Sequence, residues 1–163
     1  CAQRWALGSS GSLEEGGRVG LLDKLKFNLW DDVDAVVDLV KRWTPEGCKS
    51  EKDYEKSFYA FLHAELGDEK IVRQYAQGRI RADLVINGKV IVELKTHLMR
   101  KDVLQRLIGQ ISGYEQWSGR VIILLTGDVD PDLRKELERV AEKFEPTFAT
   151  AADGRRFTIV QKA

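Results

Sequence analysis

From Val19 to Trp43, apolar side chains recur every three or four residues, at Leu22, Leu25, Leu29, Val33, Val36, Val37 and Val40. Asp31, Asp32, Asp34 and Asp38 fill the opposite face. This spacing predicts one amphipathic helix or a pair of them, ended by Pro45 and Gly47. A second helix is expected after Ser50, with Asp53 as a weak capping-box partner and Tyr54, Phe58, Phe61 and Leu62 as its apolar stripe. Gly67 closes it. Beyond that glycine the period falls to two, so that Lys70–Ala76, Arg81–Ile86 and Lys89–Thr96 read as strands, the last two joined at an Asn87-Gly88 hairpin turn. Helical spacing returns over Val103–Trp117 through Leu104, Leu107, Ile108 and Ile111. Val121–Leu125 is an unbroken apolar run suited to a strand buried on both faces. Pro131 opens another helix, with Leu133, Leu137, Val140 and Phe144 on one face, and Phe157–Gln161 reads as a final strand. The order α, βββ, α, β, α, β predicts an α/β sandwich with a mixed central sheet flanked by helices. Residues 1–20, with GSSGS at 8–12, are expected to be a flexible lead-in, residues 21–47 a helical extension and residues 48–163 the main domain.

Composition narrows the function classes. The chain is 43% hydrophobic and 32% charged, which describes an ordinary folded protein. No apolar run approaches the roughly 20 residues that span a bilayer, so a soluble, cytoplasmic protein is expected. Cys1 and Cys48 are its two cysteines, too few and too far apart for a zinc cluster, and a reducing compartment is the default. Cys1 leaves two readings open, a boundary within a longer chain and the lipidation site of a processed lipoprotein. Twenty-six basic and twenty-six acidic residues give zero net charge, which removes the simplest electrostatic argument for a nucleic-acid or membrane-surface partner.

The residues that do not fit a packing role lie on the hairpin, RADLVINGKVIVELKT. Leu84 and Ile86 with Val90, Val92 and Leu94 make an apolar face, while Asp83, Glu93 and Lys95 occupy alternate positions. A two-residue turn would pair Ile86 with Lys89 and put Asp83 on the apolar face. A three-residue connection, Ile86-Asn87-Gly88 with Gly88 left-handed in a bulge, is expected instead, because a shift of one brings Asp83 to the face of Glu93 and Lys95. Two converging carboxylates repel unless a hard cation lies between them, and oxygen ligation of this kind suits Mg²⁺ or Mn²⁺. An ammonium beside such a centre can orient an attacking water. The alternative is an ion pair between Glu93 and Lys95 with Asp83 capping a turn.

Taken with a preceding helix that carries an early glutamate, GRIRAD ending at Asp83 and VIVELK carrying Glu93 and Lys95 resemble the PD-(D/E)XK nuclease superfamily. The resemblance covers Ser50 to about Thr126, and Ala82 stands where a proline often precedes the aspartate. It implies a restriction-endonuclease-like αβββαβ core, Asp83 and Glu93 as metal ligands, and Lys95 assisting the water. Gln110-Ile-Ser-Gly-Tyr114 is similar to the QxxxY motif of the RecB-like and lambda-exonuclease-like branches, and the hairpin also resembles the small GxxExxY family. On a helix, Gln110 and Tyr114 share a face from which an amide and a phenol can bind a phosphate or stack on a base; the alternative makes Tyr114 a core aromatic and Gln110 its solvated neighbour. Glu51 and Glu55, one turn apart, both suit the helical acid that reaches the metal in that superfamily. Arg79, Arg81 and His97 are candidate phosphate contacts, although His97 also fits a role lining the strand end.

Charge then changes its meaning. Between Lys70 and Arg120 there are ten Lys and Arg against four acids, a net of +6, leaving −6 for the remainder. The expected partner is therefore nucleic acid, DNA first, met on the segment that carries the motif. A rival reading is a non-cleaving module of the same fold that binds nucleic acid or a protein, with residues 21–43 as a dimerisation or docking helix.

Overall fold

A computed structural model of the 163-residue chain describes residues 33–67, 70–145 and 155–162. The elements are α1 (Val33–Arg42), α2 (Glu51–Leu66), β1 (Ile71–Gln77), β2 (Ile80–Ile86), β3 (Val90–Leu98), α3 (Lys101–Ser112), β4 (Arg120–Val129), α4 (Pro131–Lys143) and β5 (Phe157–Lys162). From α2 to β4 this is the αβββαβ order expected of a restriction-endonuclease-like core. The capping box at Ser50 forms: the Asp53 amide donates to Ser50 Oγ at 3.3 Å and the Ser50 amide to Asp53 Oδ2 at 2.9 Å. Two of the first-turn N–H groups are so satisfied. Asp130 caps α4 from the residue before Pro131, its carboxylate accepting from the Asp132 and Leu133 amides.

The five strands lie in the order β1-β2-β3-β4-β5. The first three are antiparallel and β3, β4 and β5 are parallel, so the sheet is mixed. Period-two alternation sends the side chains of the central strands into two cores. Leu84, Ile86, Val90, Val92, Leu94, Ile122 and Leu124 pack under α1 and α2. Val85, Ile91, Val121, Ile123 and Leu125 pack under α3 and α4. β3 is buried almost throughout, as a strand covered by helices on both faces must be.

Val36, Val37, Leu39 and Val40 of α1 belong to the same core cluster as α2 and the sheet. Over Val33–Arg42, the apolar stripe that the rival reading offered for dimerisation or docking packs inside the chain, because the sheet beneath it needs a cover. The expected helix over residues 19–32 and the lead-in at 1–20 lie outside the described residues. Among the described residues, no helix is long and apolar enough to cross a membrane.

Candidate active site

The hairpin register decides what meets. Ile86 pairs with Val90, Val85 with Ile91 and Leu84 with Val92, a register that, carried one step further, brings Asp83 across from Glu93. The shift of one is the one expected, but the connection is Asn87-Gly88-Lys89, and Ile86 stays in the ladder. Asn87 and Gly88 both have positive φ, 53° and 63°, and the Lys89 amide closes the turn on the Ile86 carbonyl at 3.0 Å. Tertiary contacts hold the extra residue in place: the Lys89 carbonyl accepts from Trp117 Nε1 at 3.2 Å and from the Arg120 amide at 3.0 Å.

The sheet opens at Asp83 on both sides. The β2–β3 ladder runs no further than Leu84 and Val92. On the other side, Arg73–Leu84 and Tyr75–Ala82 pair, but Gln74, which stands across from Asp83, is left out with a φ of 49°. The freed Leu94 amide donates to Asp83 Oδ2 at 2.9 Å. A cavity of about 180 Å³ opens there, lined by Gln74, Tyr75, Arg81, Ala82, Asp83 and Gln110. A larger hollow of about 430 Å³ between α4 and β5 is lined by Glu138, Glu142 and Arg155 among others. It holds none of the hairpin carboxylates, and its glutamates would repel a phosphate, so the smaller cavity is the one with chemistry in it.

Glu93 is 1% exposed. Burial, and after it the nearby Asp83 charge, pushes its carboxyl up to about 7, against the pull of the Tyr114 hydroxyl and the Lys95 ammonium. Burial also raises Asp83, with the charges of Glu55 and Glu51 adding to it and the Leu94 amide and Lys95 opposing. The Asp83 charge thus makes Glu93 harder to ionise, and Asp83 in turn feels the acids of α2, an acidic cluster suited to a compensating positive charge. Lys95 Nζ lies 3.9 Å from Glu51 Oε2, while Glu55 pairs with Arg73 at 3.1 Å. Both helical glutamates therefore approach the site, and Glu51 is the one that engages the lysine.

Tyr114 lies outside α3, in the turn that follows Gly113, and is fully buried. It cannot stack on a base as expected from its spacing to Gln110. Its hydroxyl lies 2.6 Å from Glu93 Oε2 and 2.7 Å from the Arg81 carbonyl oxygen, so its work is to hold the carboxylate. One hydroxyl carries one proton and donates to one of these acceptors at a time. Burial first, then the Glu93 charge, raises its own pKa, and it stays protonated. Gln110 is exposed and borders the cavity, as do Arg81 and Asp83, and Arg79 is exposed in the β1–β2 turn. His97 is turned away: it sits in a bulge with φ 53°, and its Nδ1 accepts from the Asp128 amide at 3.2 Å. Its ring lies so close to Gly127 that a Cβ there would come within 2.7 Å of it. It lines the strand end.

The residues that could hold a hard cation are Asp83 and Glu93. Among the described residues no group of three His, Cys, Asp or Glu side chains is placed to cage one. One buried and one half-buried carboxylate alone suit magnesium, which keeps most of its waters and uses one or two carboxylates, better than zinc or calcium.

No family model matches the chain, and no curated protein matches it. Among solved structures it is similar to Pyrococcus furiosus SfsA in complex with Ca²⁺, at 18% identity and a TM-score of 0.38, over 68% of this chain and 54% of that one. The chain spans about half the length of that structure. Likeness at this level carries no functional argument, which rests on the site alone.

Gln74 and the Thr96–Thr126 hydroxyl pair, 2.8 Å apart and buried beside the Lys95 register, were not legible as site neighbours. Gln74 stands across from Asp83 by strand counting, but nothing in its neighbours announces a left-handed backbone.

Proposed function

We propose that the protein is a Mg²⁺- or Mn²⁺-dependent nuclease that hydrolyses phosphodiester bonds, DNA first among its substrates. The observation that carries the reading is the register that sets Asp83 against Glu93 with Lys95 on the same strand face, at the point where the sheet splays open. Asp83 and Glu93 would hold the cation. When bound, it would supply Lewis-acid stabilisation of charge on the phosphoryl oxygens and a more acidic water. Lys95, kept near the site by Glu51, would donate to the attacking water or the phosphate and so orient the nucleophile. Tyr114 presents the Glu93 oxygen, and the Leu94 amide fixes Asp83. Arg81 and Gln110 border the opening and, with Arg79 exposed in the β1–β2 turn, would hold the strand.

The test is cleavage of plasmid and single-stranded DNA in Mg²⁺ or Mn²⁺ against EDTA. Cleavage that needs the metal and falls by at least ~10²-fold in Lys95→Ala and Asp83→Ala supports the assignment. Cleavage undiminished in either variant removes it, and DNA binding without cleavage in any metal favours the non-cleaving module.

A further inference from the structure

α3 closes on its own turn: the Gly113 amide donates to the Gln110 carbonyl and the Tyr114 amide to the Ile111 carbonyl, each at 2.9 Å. The turn beyond it, from Tyr114 to Trp117, is met from a distant strand. Arg156 Nη2 lies among the carbonyl oxygens of Tyr114 at 2.5 Å, Glu115 at 2.6 Å and Trp117, which share its two N–H groups. Arg156 is itself fixed at the start of β5: the Glu145 carboxylate accepts from the Arg156 amide at 2.8 Å and from the Phe157 amide at 2.9 Å. The guanidinium rests 5.8 Å from the centre of the Phe157 ring.

The residue whose main chain is clamped is the residue whose side chain holds Glu93. Tyr114 is gripped at its carbonyl by Arg156 and at its hydroxyl by Glu93 and Arg81, with a rigid ring between. We propose that Arg156 is a positioning residue for the metal site, acting through Tyr114 on the Glu93 carboxylate. This rests on the proposed function, since it takes Glu93 to be a ligand. Outer partners of metal ligands commonly tune affinity by about 10–100-fold, and a clamp on such a partner falls under the same rule. The sequence hides it, because Arg156 is more than forty residues from Tyr114 and belongs to no motif.

The experiment is calorimetric Mn²⁺ titration of the full chain for wild type, Tyr114→Phe, Arg156→Gln and the double variant, with melting temperatures alongside. Tyr114→Phe and Arg156→Gln are each expected to weaken Mn²⁺ binding by ~10-fold. The double variant should bind no worse than the weaker single, because both changes release the same carboxylate. Unchanged affinity in Arg156→Gln overturns the proposal, and so do losses that multiply in the double variant. Where Arg156→Gln does not fold, Arg156→Lys replaces it: it keeps the cation but loses the planar fork. It should bind Mn²⁺ more weakly than wild type and more tightly than Tyr114→Phe, and wild-type affinity there counts against the clamp. A wild type that binds no Mn²⁺ removes the proposed function and this inference together, whereas wild-type binding with unaffected Arg156 variants removes the inference alone.

Discussion

Replacing Tyr114 by Phe removes one buried oxygen that lies between Glu93 and the Arg81 carbonyl, and its effect on stability should depend on pH in a definite direction. Folded Glu93 holds its proton up to about 7, against an ordinary 4.5. The native state therefore binds more protons than the unfolded chain between these values, and stability falls as pH rises through that window. The interval corresponds to roughly 3 kcal/mol, fully present as a penalty above pH 7 and absent below 4.5. Tyr114 restrains that penalty by donating to the ionised carboxylate. At pH 5 the deletion removes a bond between neutral groups, worth about 1 kcal/mol; at pH 8.5 it removes a bond to a buried charge, worth about 1.5–3 kcal/mol. Urea denaturation in EDTA at both pH values reads the difference. With a slope of ~2 kcal/mol/M, the midpoint should drop by ~0.5 M at pH 5 and by ~0.8–1.5 M at pH 8.5. Equal losses, or a smaller loss at pH 8.5, would refute the assignment of Tyr114 to the Glu93 carboxylate.

Asp83→Asn keeps an oxygen for the Leu94 amide but removes a charge that helps raise Glu93; it should stabilise the metal-free protein by ~1 kcal/mol at pH 8 and abolish cleavage when metal is supplied, and destabilisation in the same urea assay would contradict the action of the Asp83 charge on Glu93. Gly119→Ala would set a Cβ 1.8 Å from the Lys89 carbonyl oxygen and push the hairpin turn off the α3–β4 connection, costing about 2–3 kcal/mol by thermal melting. A near-neutral result would mean that this contact is not what holds the turn. Thr126→Val leaves the buried Thr96 hydroxyl without the partner it has at 2.8 Å and should cost about 1–2 kcal/mol. The Thr96→Val/Thr126→Val double variant should recover most of that loss, and additive losses would show that the pair is not a coupled unit.

The hairpin was readable because its apolar alternation admits one register that keeps both carboxylates off the core under α1 and α2. Its turn was not fully readable: Lys89 joins it through the bonds its carbonyl makes to Trp117 and Arg120, and local sequence does not announce tertiary acceptors. Helical spacing carried α3 too far. The expected helix ran to Trp117, while the observed one stops at Ser112, and Tyr114 takes the alternative reading, a core aromatic beside a solvated Gln110, with the added task of supporting Glu93. Gly113, directly before it, was the available signal. His97 looked like a site residue from its distance to Lys95, but the bulge after Thr96 rotates it onto β4. The Ser50 cap, Pro131 and the final strand were legible because each depends on near neighbours, whereas Arg156 and Gln74 act across strands.

A crystal soaked in Mn²⁺ and measured at the manganese absorption edge would place the ion without reference to activity. An anomalous peak is expected in contact with carboxylate oxygens of both Asp83 and Glu93, at the opening beside Gln74, and is expected to be lost in Glu93→Gln. A peak elsewhere, or none beside these two carboxylates at saturating Mn²⁺, would contradict the proposed metal site.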